Sequence, residues 1–359
     1  MDKKNQITEG VIWKQLLIFF FPIMVGTLFQ QLYNTVDAII VGRFVGKQAL
    51  ASVGGSAAVL TNFVIGFFTG LSAGATVIIS QFYGAKNLKQ LSKGLHTAYA
   101  FSITVSILIS VIGWFSTPAL LHLLKTPADV IPDSILYLRI YFLGMIFTLT
   151  YNMGSSIMRA IGDSRRPLIY LVICCVINII LDILFVIVFH MGIAGAAIAT
   201  VISQGVSAIL VTRSLMKSYG ILKLELRAIR FHGALLKSEL KIGLPGGIQS
   251  FGYSISNIII QAVINNFGTD TAAAWAAYGK LDAIFWTVCG SFGIAITTFA
   301  GQNFGARKFN RVKKSVRVCL AMALTVCGSL IVFLMIFCRP LYHLSLIHIS
   351  EPTRHLRIS

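Results

Sequence analysis

The sequence predicts an all-α membrane protein of parallel six-helix-bundle repeats, the first bundle complete with six spans and the second carried for about three. Three observations predict it. Of 359 residues, 56% are hydrophobic and only 12% charged, with a mean hydropathy of +0.81; a soluble domain carries roughly 25% charged residues. Apolar stretches of about 20 residues, enough to cross a bilayer, recur between short basic loops. One stretch also returns: Pro22 to Gly46 has a counterpart from Pro245 to Gly268, and SQFYGAKNLKQLSKG (80–94) one in GQNFGARKFNRVKKS (301–315), with Gly46 to Gly268 and Gln81 to Gln302 at offsets that differ by one residue.

Nine spans are expected, at 14–42, 53–80, 95–117, 133–157, 167–190, 192–215, 239–266, 272–303 and 315–338. The N-terminal MDKKNQITEGVIWKQ leads into an apolar run too long for a signal-peptide core, with no A-x-A site after it, so that run is the first span. Most of the 30 basic residues fall in alternate loops: Lys3, Lys4 and Lys14; Lys86, Lys89 and Lys93; Arg159, Arg165 and Arg166; Arg213 to Lys241; Arg307 to Arg317. The positive-inside rule then puts the N-terminus in the cytoplasm. Six spans separate the two copies, so both begin on that side. They are parallel repeats about an axis along the membrane normal, an arrangement that in transporters places substrate between the bundles.

Four segments follow: a first bundle over 1–216, a basic linker over 217–241, a partial second bundle over 242–342, and an unpatterned tail over 343–359. In the linker, KSYGILKLELRAIRFHGALLKSELK, basic and apolar residues alternate at a rough helical period. It reads either as an amphipathic helix on the membrane surface or as a solvated tether. The repeat calls for six spans in the second half where three are found, so the sequence is expected to lack the last three helices. Little transport is then expected from residues 1–359 alone.

The net charge of +18 does not indicate nucleic acid, because the basic residues lie between apolar segments and form no patch with interleaved aromatics. Cys174, Cys175, Cys289, Cys319, Cys327 and Cys338 all lie in apolar runs without CxxC or metal spacing, and read as packing residues.

The sequence resembles the multidrug and toxic compound extrusion (MATE) family, within a superfamily that also holds lipid-linked saccharide exporters. The resemblance rests on Asn34-Thr35-Val36-Asp37 with Gly42 and Gly46, on Gln81-Phe82-Tyr83-Gly84-Ala85, and on Arg159-Ala160-Ile161-Gly162-Asp163 with Pro167. Asn178 and Asp182 add to it, as does Gly192 to Thr200, which opens span six. It implies twelve helices in two bundles, and export of cationic or amphipathic compounds in exchange for sodium ions or protons.

Asp37, Asp182 and Asp282 are the acidic residues read as lying within spans. An ionised side chain near a bilayer centre costs about 2.5 kcal/mol or more, so such residues are usually functional. At about 1.5 Å per residue, Asp37, Asp182 and Thr200 all fall roughly 8–12 Å below the outer surface. Asn178 and Asp182, four apart, share a helix face. Two carboxylates, an amide and a hydroxyl at one depth make a hard-oxygen cation site or a proton-binding pair. A sodium ion is a candidate ligand at Asp37 and Asp182, with Asn152 a further candidate in span four. The competing reading has the two acids only capping neighbouring helices.

Candidate cavity residues are Gln30, Tyr33, Gln249, Lys280 and Asp282, with Phe29, Tyr253 and Met153 as adaptable apolar lining. Lys280 and Asp282 point to nearly opposite faces. Either one of them faces the central cavity or each is paired within its own bundle. There is no HExxH or Walker loop, so no enzyme is expected.

The resulting expectation is a monomeric, multi-pass antiporter of the bacterial inner membrane. It needs no cofactor beyond the coupling Na+ or H+, and its partners are small amphipathic or cationic molecules and the bilayer. The alternatives are a lipid-linked saccharide flippase, marked by a basic-lined lateral opening, and more remotely a membrane enzyme or receptor.

Overall fold

The structure, a computed structural model, describes residues 7–217, 223–265, 267 and 269–354; the side chains of Lys280, of several neighbours in 258–281, and of all residues from 338 onward lie outside that description. Eleven helices follow one another, with no strand among the described residues: α1 Ile12–Ile40, α2 Lys47–Gly54, α3 Ser56–Gly84, α4 Leu88–Leu123, α5 Ile131–Leu143, α6 Met145–Ala160, α7 Arg165–Asp182, α8 Gly192–Lys217, α9 Gly233–Asn265, α10 Thr269–Gly305 and α11 Phe309–Arg354. Widened turns extend α1 over Val41–Val45 and α7 over Ile183–Val188. Gly46 breaks the first of these at φ 127°, where a side chain would be strained, and α2 starts at once.

Seven helices among the described residues are long and apolar enough to cross a membrane. The number is eight if α5 and α6, bent by 49° at Gly144, count as one span. Nine were expected. The shortfall falls on α9, where Gln249, Ser250, Ser254, Ser256, Asn257 and Gln261 dilute an otherwise apolar helix at the expected place of span seven. In α10 the apolar part is only Asp282–Gly305. The segment expected to be unpatterned after residue 342 is helical as far as Arg354.

The first eight helices pack among themselves. α1 lies along α7, α7 along α8, α8 along α6, and α6 along α3 and α4, while α5 rests on α4 and α8. Their buried core runs through Phe68, Tyr99, Phe142, Met145, Leu149 and Val211. Local chemistry supports the corners. Asp163 Oδ1 accepts from the backbone N–H groups of Arg165 and Arg166, satisfying orphan donors at the start of α7.

α9 and α10 sit on one side of this group, along α3 and α1. α9 runs antiparallel to α3 on facing glycines: a Cβ on Gly70 would strike the backbone of Gly246 and Gly247, and one on Gly243 the backbone of Leu71. Such small-residue seams let membrane helices approach closely. α10 packs against α1 through Phe20 and Phe292, stacked at 4.0 Å between ring centroids, and through Phe19 and Phe299.

The internal repeat maps α1 onto α9 and α3 onto α10, and the contacts respect that exchange. α3 against α9 is the image of α10 against α1. On the basic side the correspondence is residue by residue: Gly84 lies against the carbonyl of Gln302, and Gly305 against the carbonyl of Gln81. Gln302 Nε2 also donates to the Ala160 carbonyl at 2.7 Å, and Arg311 donates to the carbonyls of Glu9 and Gly10 at 2.9 Å each. These contacts hold the two copies together on that side.

The described part of the linker is neither an amphipathic helix nor a loose tether. Its last part, 233–241, already belongs to α9, and the stretch 223–232, apart from one tight turn at Leu226–Ala228, is extended and strapped down. Leu224 N–H donates to the Leu215 carbonyl at 3.1 Å, Glu225 N–H to His96 Nε2 at 3.0 Å, and His232 N–H to Thr97 Oγ1 at 3.3 Å. His96 Nδ1 in turn donates to the Ser92 carbonyl at 2.7 Å, so its other nitrogen is free to accept. Donors that a helix would use internally are committed to α4 and α8 instead.

Candidate functional site

The register of α1 against α7 sets the geometry. Both helices run from the basic side outward. Gly26 faces Leu168 and Leu171, and the Cys175 thiol donates to the Phe29 carbonyl at 3.5 Å. Carried up the pair, that register brings Tyr33 level with Asn178 and Asp37 level with Asp182. The far ends are tied as well, since a Cβ on Gly192 at the start of α8 would sit 3.7 Å from Val45. Thr200, eight residues into α8, therefore lies about 12 Å below that end, close to the level of the two acids.

Asn178 and Asp182 have no exposed surface, and Asp37 has 9%. Both carboxylate oxygens of Asp182, both polar atoms of Asn178 and Oδ1 of Asp37 are buried without a hydrogen-bond partner among the described residues. The Asp182 carboxyl lies within the electrostatic field of Asp37. Thr200 donates its hydroxyl to the Ala196 carbonyl at 3.1 Å, leaving lone pairs to accept or coordinate. Buried polar groups are normally partnered. Five orphaned atoms within one helical turn, four of them able to act as oxygen ligands or acceptors, make a small polar chamber suited to a hard cation or to protons.

Asn152 stands apart. It is about 12 Å from the basic end of α6, whereas Asp182 is about 26 Å from that end of α7, and a short turn joins the two ends. Two residues absent from the sequence reading join the chamber's surroundings. Tyr137 of α5 is buried in the electrostatic field of both Asp37 and Asp182 and stacks on Tyr141 at 6.0 Å. Gln204, one turn from Thr200 on the same face of α8, is 5% exposed with Oε1 unpartnered. The depth estimate that grouped the acids would have found Tyr137, six residues into α5 from its outer end.

Glu239, the first residue of the expected seventh span, is a further acid that was not counted among those within spans. It is 4% exposed where α9 meets α3 and α4, its Oε1 has no partner, and a Cβ on Gly94 would lie 3.8 Å from it.

A cleft of about 790 Å³ opens between the outer half of α1 and α10. Gln31, Asn34, Thr35 and Arg43 line it from α1, and Ala283, Ile284 and Thr287 from α10. The predicted cavity residues are displaced from it by helix register. Gln31 rather than Gln30 faces the cleft, Tyr33 is buried in the first-half core, and Gln249 is exposed on α9. Asp282 neighbours the lining, half-buried, and accepts from the Tyr278 hydroxyl at 3.3 Å; the side chain of Lys280 lies outside the described residues. Tyr253 and Trp286 pair edge-on at 5.5 Å across α9 and α10. Among the described lining residues Arg43 is the one charge, so the basic-lined opening of a flippase is not what the cleft presents.

Two repeats meeting at a seam on one side and parting around a cleft on the other, with orphaned acids buried in the first half, define a multi-span membrane transporter. The chain belongs to the MatE family, whose model matches residues 22–184 and 245–348, beginning at the prolines that open the two internal copies. It is 32% identical to "Probable multidrug resistance protein YpnP" of Bacillus subtilis (strain 168) over 316 residues, covering 86% of this chain and 69% of that protein. It is 31% identical to "Probable multidrug resistance protein YoeA" of the same organism, covering 91% and 72%. A solved structure described as the outward-facing conformation of a multidrug resistance MATE family transporter superposes with a TM-score of 0.89 at 22% identity, covering 98% of this chain and 78% of that one. At that identity the likeness speaks for the fold. The family is one of membrane transporters, not of enzymes.

Proposed function

We propose that the chain exports organic cations or related amphipathic compounds in exchange for Na+ or H+, taken up between Asp37 and Asp182 with oxygens from Asn178 and Thr200. The observation that carries this reading is the set of orphaned polar atoms of Asp37, Asn178 and Asp182. Two carboxylates at one level in a poorly hydrated bundle cannot both stay ionised cheaply. A sodium ion or a proton relieves the repulsion, and loss of that ligand restores it. A drug that favours the conformation in which the pair is least comfortable then competes with the ion through one shared equilibrium. The names of the two relatives, each "Probable multidrug resistance protein", support the substrate class. The charge bias supports an inner-membrane protein with a cytoplasmic N-terminus, and a single chain holds the whole proposed ion site.

The test is thermal unfolding of the purified chain in detergent, with NaCl against choline chloride at matched ionic strength and across pH. Sodium at about 100 times its dissociation constant stabilises by about 2.7 kcal/mol. That gain should appear above pH 7 and vanish in Asp182→Asn. Unfolding indifferent to sodium and to the substitution at every pH would overturn the assignment.

A further inference from the structure

On the basic side, two recesses meet at one residue. The first is an apolar groove of about 660 Å³ between α4, α6 and α8, with Ile103, Ile146, Phe147 and Ile209 along it and Arg213, Lys217 and Lys223 at its mouth. The second is a polar recess of about 340 Å³ under the linker strap, containing Lys93, Lys223, Arg230 and His232, with Glu225 as its acid. Lys223 belongs to both. Among the described residues Arg213, Lys217 and Lys223 have no ion-pair partner, and all three are exposed. Ile209 is 63% exposed on a helix that crosses the membrane, so the groove faces hydrocarbon while its mouth lies at the interface.

We propose that the groove and its basic mouth hold one anionic phospholipid, with an acyl chain along the groove and the phosphate at Arg213, Lys217 and Lys223. Charge complementarity selects the occupant. A zwitterionic headgroup brings its own cation into a site that already has a surplus of cations, whereas an anionic one does not. The side is also the one where the positive-inside rule places Lys and Arg, facing the leaflet rich in anionic lipid. Basic pockets between helices on that side are known hosts for such headgroups. Burial, with the charges of Arg230 and Lys93, holds the His232 imidazole below its ordinary range, so the recess already disfavours one further cation. A bound phosphate would join α8 to the strap through Lys223 and so hold the linker against the first six spans. None of this depends on the ion or drug assignment.

The experiment is native mass spectrometry of the 359-residue chain released from detergent. It is titrated separately with phosphatidylglycerol, with phosphatidylcholine of the same acyl chains, and with glycerol phosphate. One phosphatidylglycerol should be retained in preference to phosphatidylcholine. Each basic residue near an anionic headgroup contributes about fivefold, so the combined Arg213→Gln, Lys217→Gln, Lys223→Gln variant should weaken retention about 100-fold. Ile209→Asn, which leaves the charges intact, should weaken it several-fold. Should the triple variant not fold, Lys217→Gln with Lys223→Gln, both on exposed side chains, gives the same reading at about 25-fold. Equal retention of the two lipids, or retention unchanged in the basic variants, overturns the proposal. Glycerol phosphate binding as tightly as the whole lipid also overturns it, because the groove would then contribute nothing.

Discussion

Substituting Gly84 by Ala tests whether the seam on the basic side is what holds the two halves together there. A Cβ at Gly84 would overlap the backbone carbonyl of Gln302, an obstacle that cannot rotate away. Overpacking of this kind typically costs 1–3 kcal/mol. The intrinsic preference of a helix for Ala over Gly works the other way, by about 0.5–1 kcal/mol. Gly84 stays helical whether the seam is closed or parted, so that preference cancels between the two folded states and the clash remains. The closed state should therefore lose about 5- to 150-fold in population relative to a parted one. Spin labels at Lys89 at the start of α4 and Lys313 in α11, both exposed, read the separation by pulsed dipolar spectroscopy. The distance distribution should gain a longer component in Gly84→Ala. The image substitution Gly305→Ala, which strikes Gln81, should give the same component. Gly290→Ala on α10 is the control, since nothing lies within 4 Å of its added Cβ. An unchanged distribution in both seam variants, or an equal change in the control, would refute the seam as the closure.

Asp37→Asn and Asp182→Asn should each abolish sodium-dependent stabilisation while the chain still folds. The double change should cost little more than either alone, which isothermal titration with sodium would check. Glu239→Gln should raise the thermal midpoint at neutral pH, because a buried amide needs no counterion, whereas Glu239→Ala should lower it by opening a cavity between α3, α4 and α9. The His232 imidazole has a folded pKa below its ordinary 6.5, so its contribution to stability is present above that pH and is lost as pH falls through the folded value. Limited proteolysis of the strap around residues 223–232 should accelerate as pH drops below about 6.5, and His232→Gln should remove the acceleration; cleavage independent of pH in the wild-type chain would count against it.

The parts of the site that were legible in the sequence are those where depth alone decides. Asp37, Asp182 and Thr200 could be placed at one level because spans have a fixed rise per residue, and the register of Gly26 and Phe29 against α7 independently sets Asp37 level with Asp182. Azimuth was not legible. A shift of one residue turns a side chain by about 100°, enough to exchange Gln30 for Gln31 at the cleft and to bury Tyr33. The repeat was legible as similar strings, but that Gly84 and Gly305 each meet the other copy's glutamine needed the two copies face to face. The strap could not be read from periodicity, because its conformation is set by His96 and Thr97, more than a hundred residues away in sequence. Glu239 escaped for a related reason: a charge at the edge of an apolar run looks like a loop residue until α3 and α4 close over it.

The proposed ion chamber and the seam share α1. Its outer half carries Asp37 beside Asp182, and its inner half carries Phe19 and Phe20 against Phe299 and Phe292 of α10. Between them Pro22 lacks the N–H that would bond the Ile18 carbonyl, so the helix is weakest where its two duties meet. α7 and α8, which supply Asn178, Asp182 and Thr200, pack within the first six spans. A ligand that draws Asp37 toward Asp182 therefore acts on the outer half of α1, and whatever bend this imposes at Pro22 is felt at the stacked phenylalanines. Linkage makes the effect reciprocal: if parting the seam changes the affinity of the chamber for its ion, the ion changes the seam by the same factor. The factor is limited by the few aromatic and glycine contacts that α10 makes with α1 and α3. The seam's resistance is set by the glycine contacts together with the Gln302 and Arg311 hydrogen bonds, and the ion's differential binding must match it.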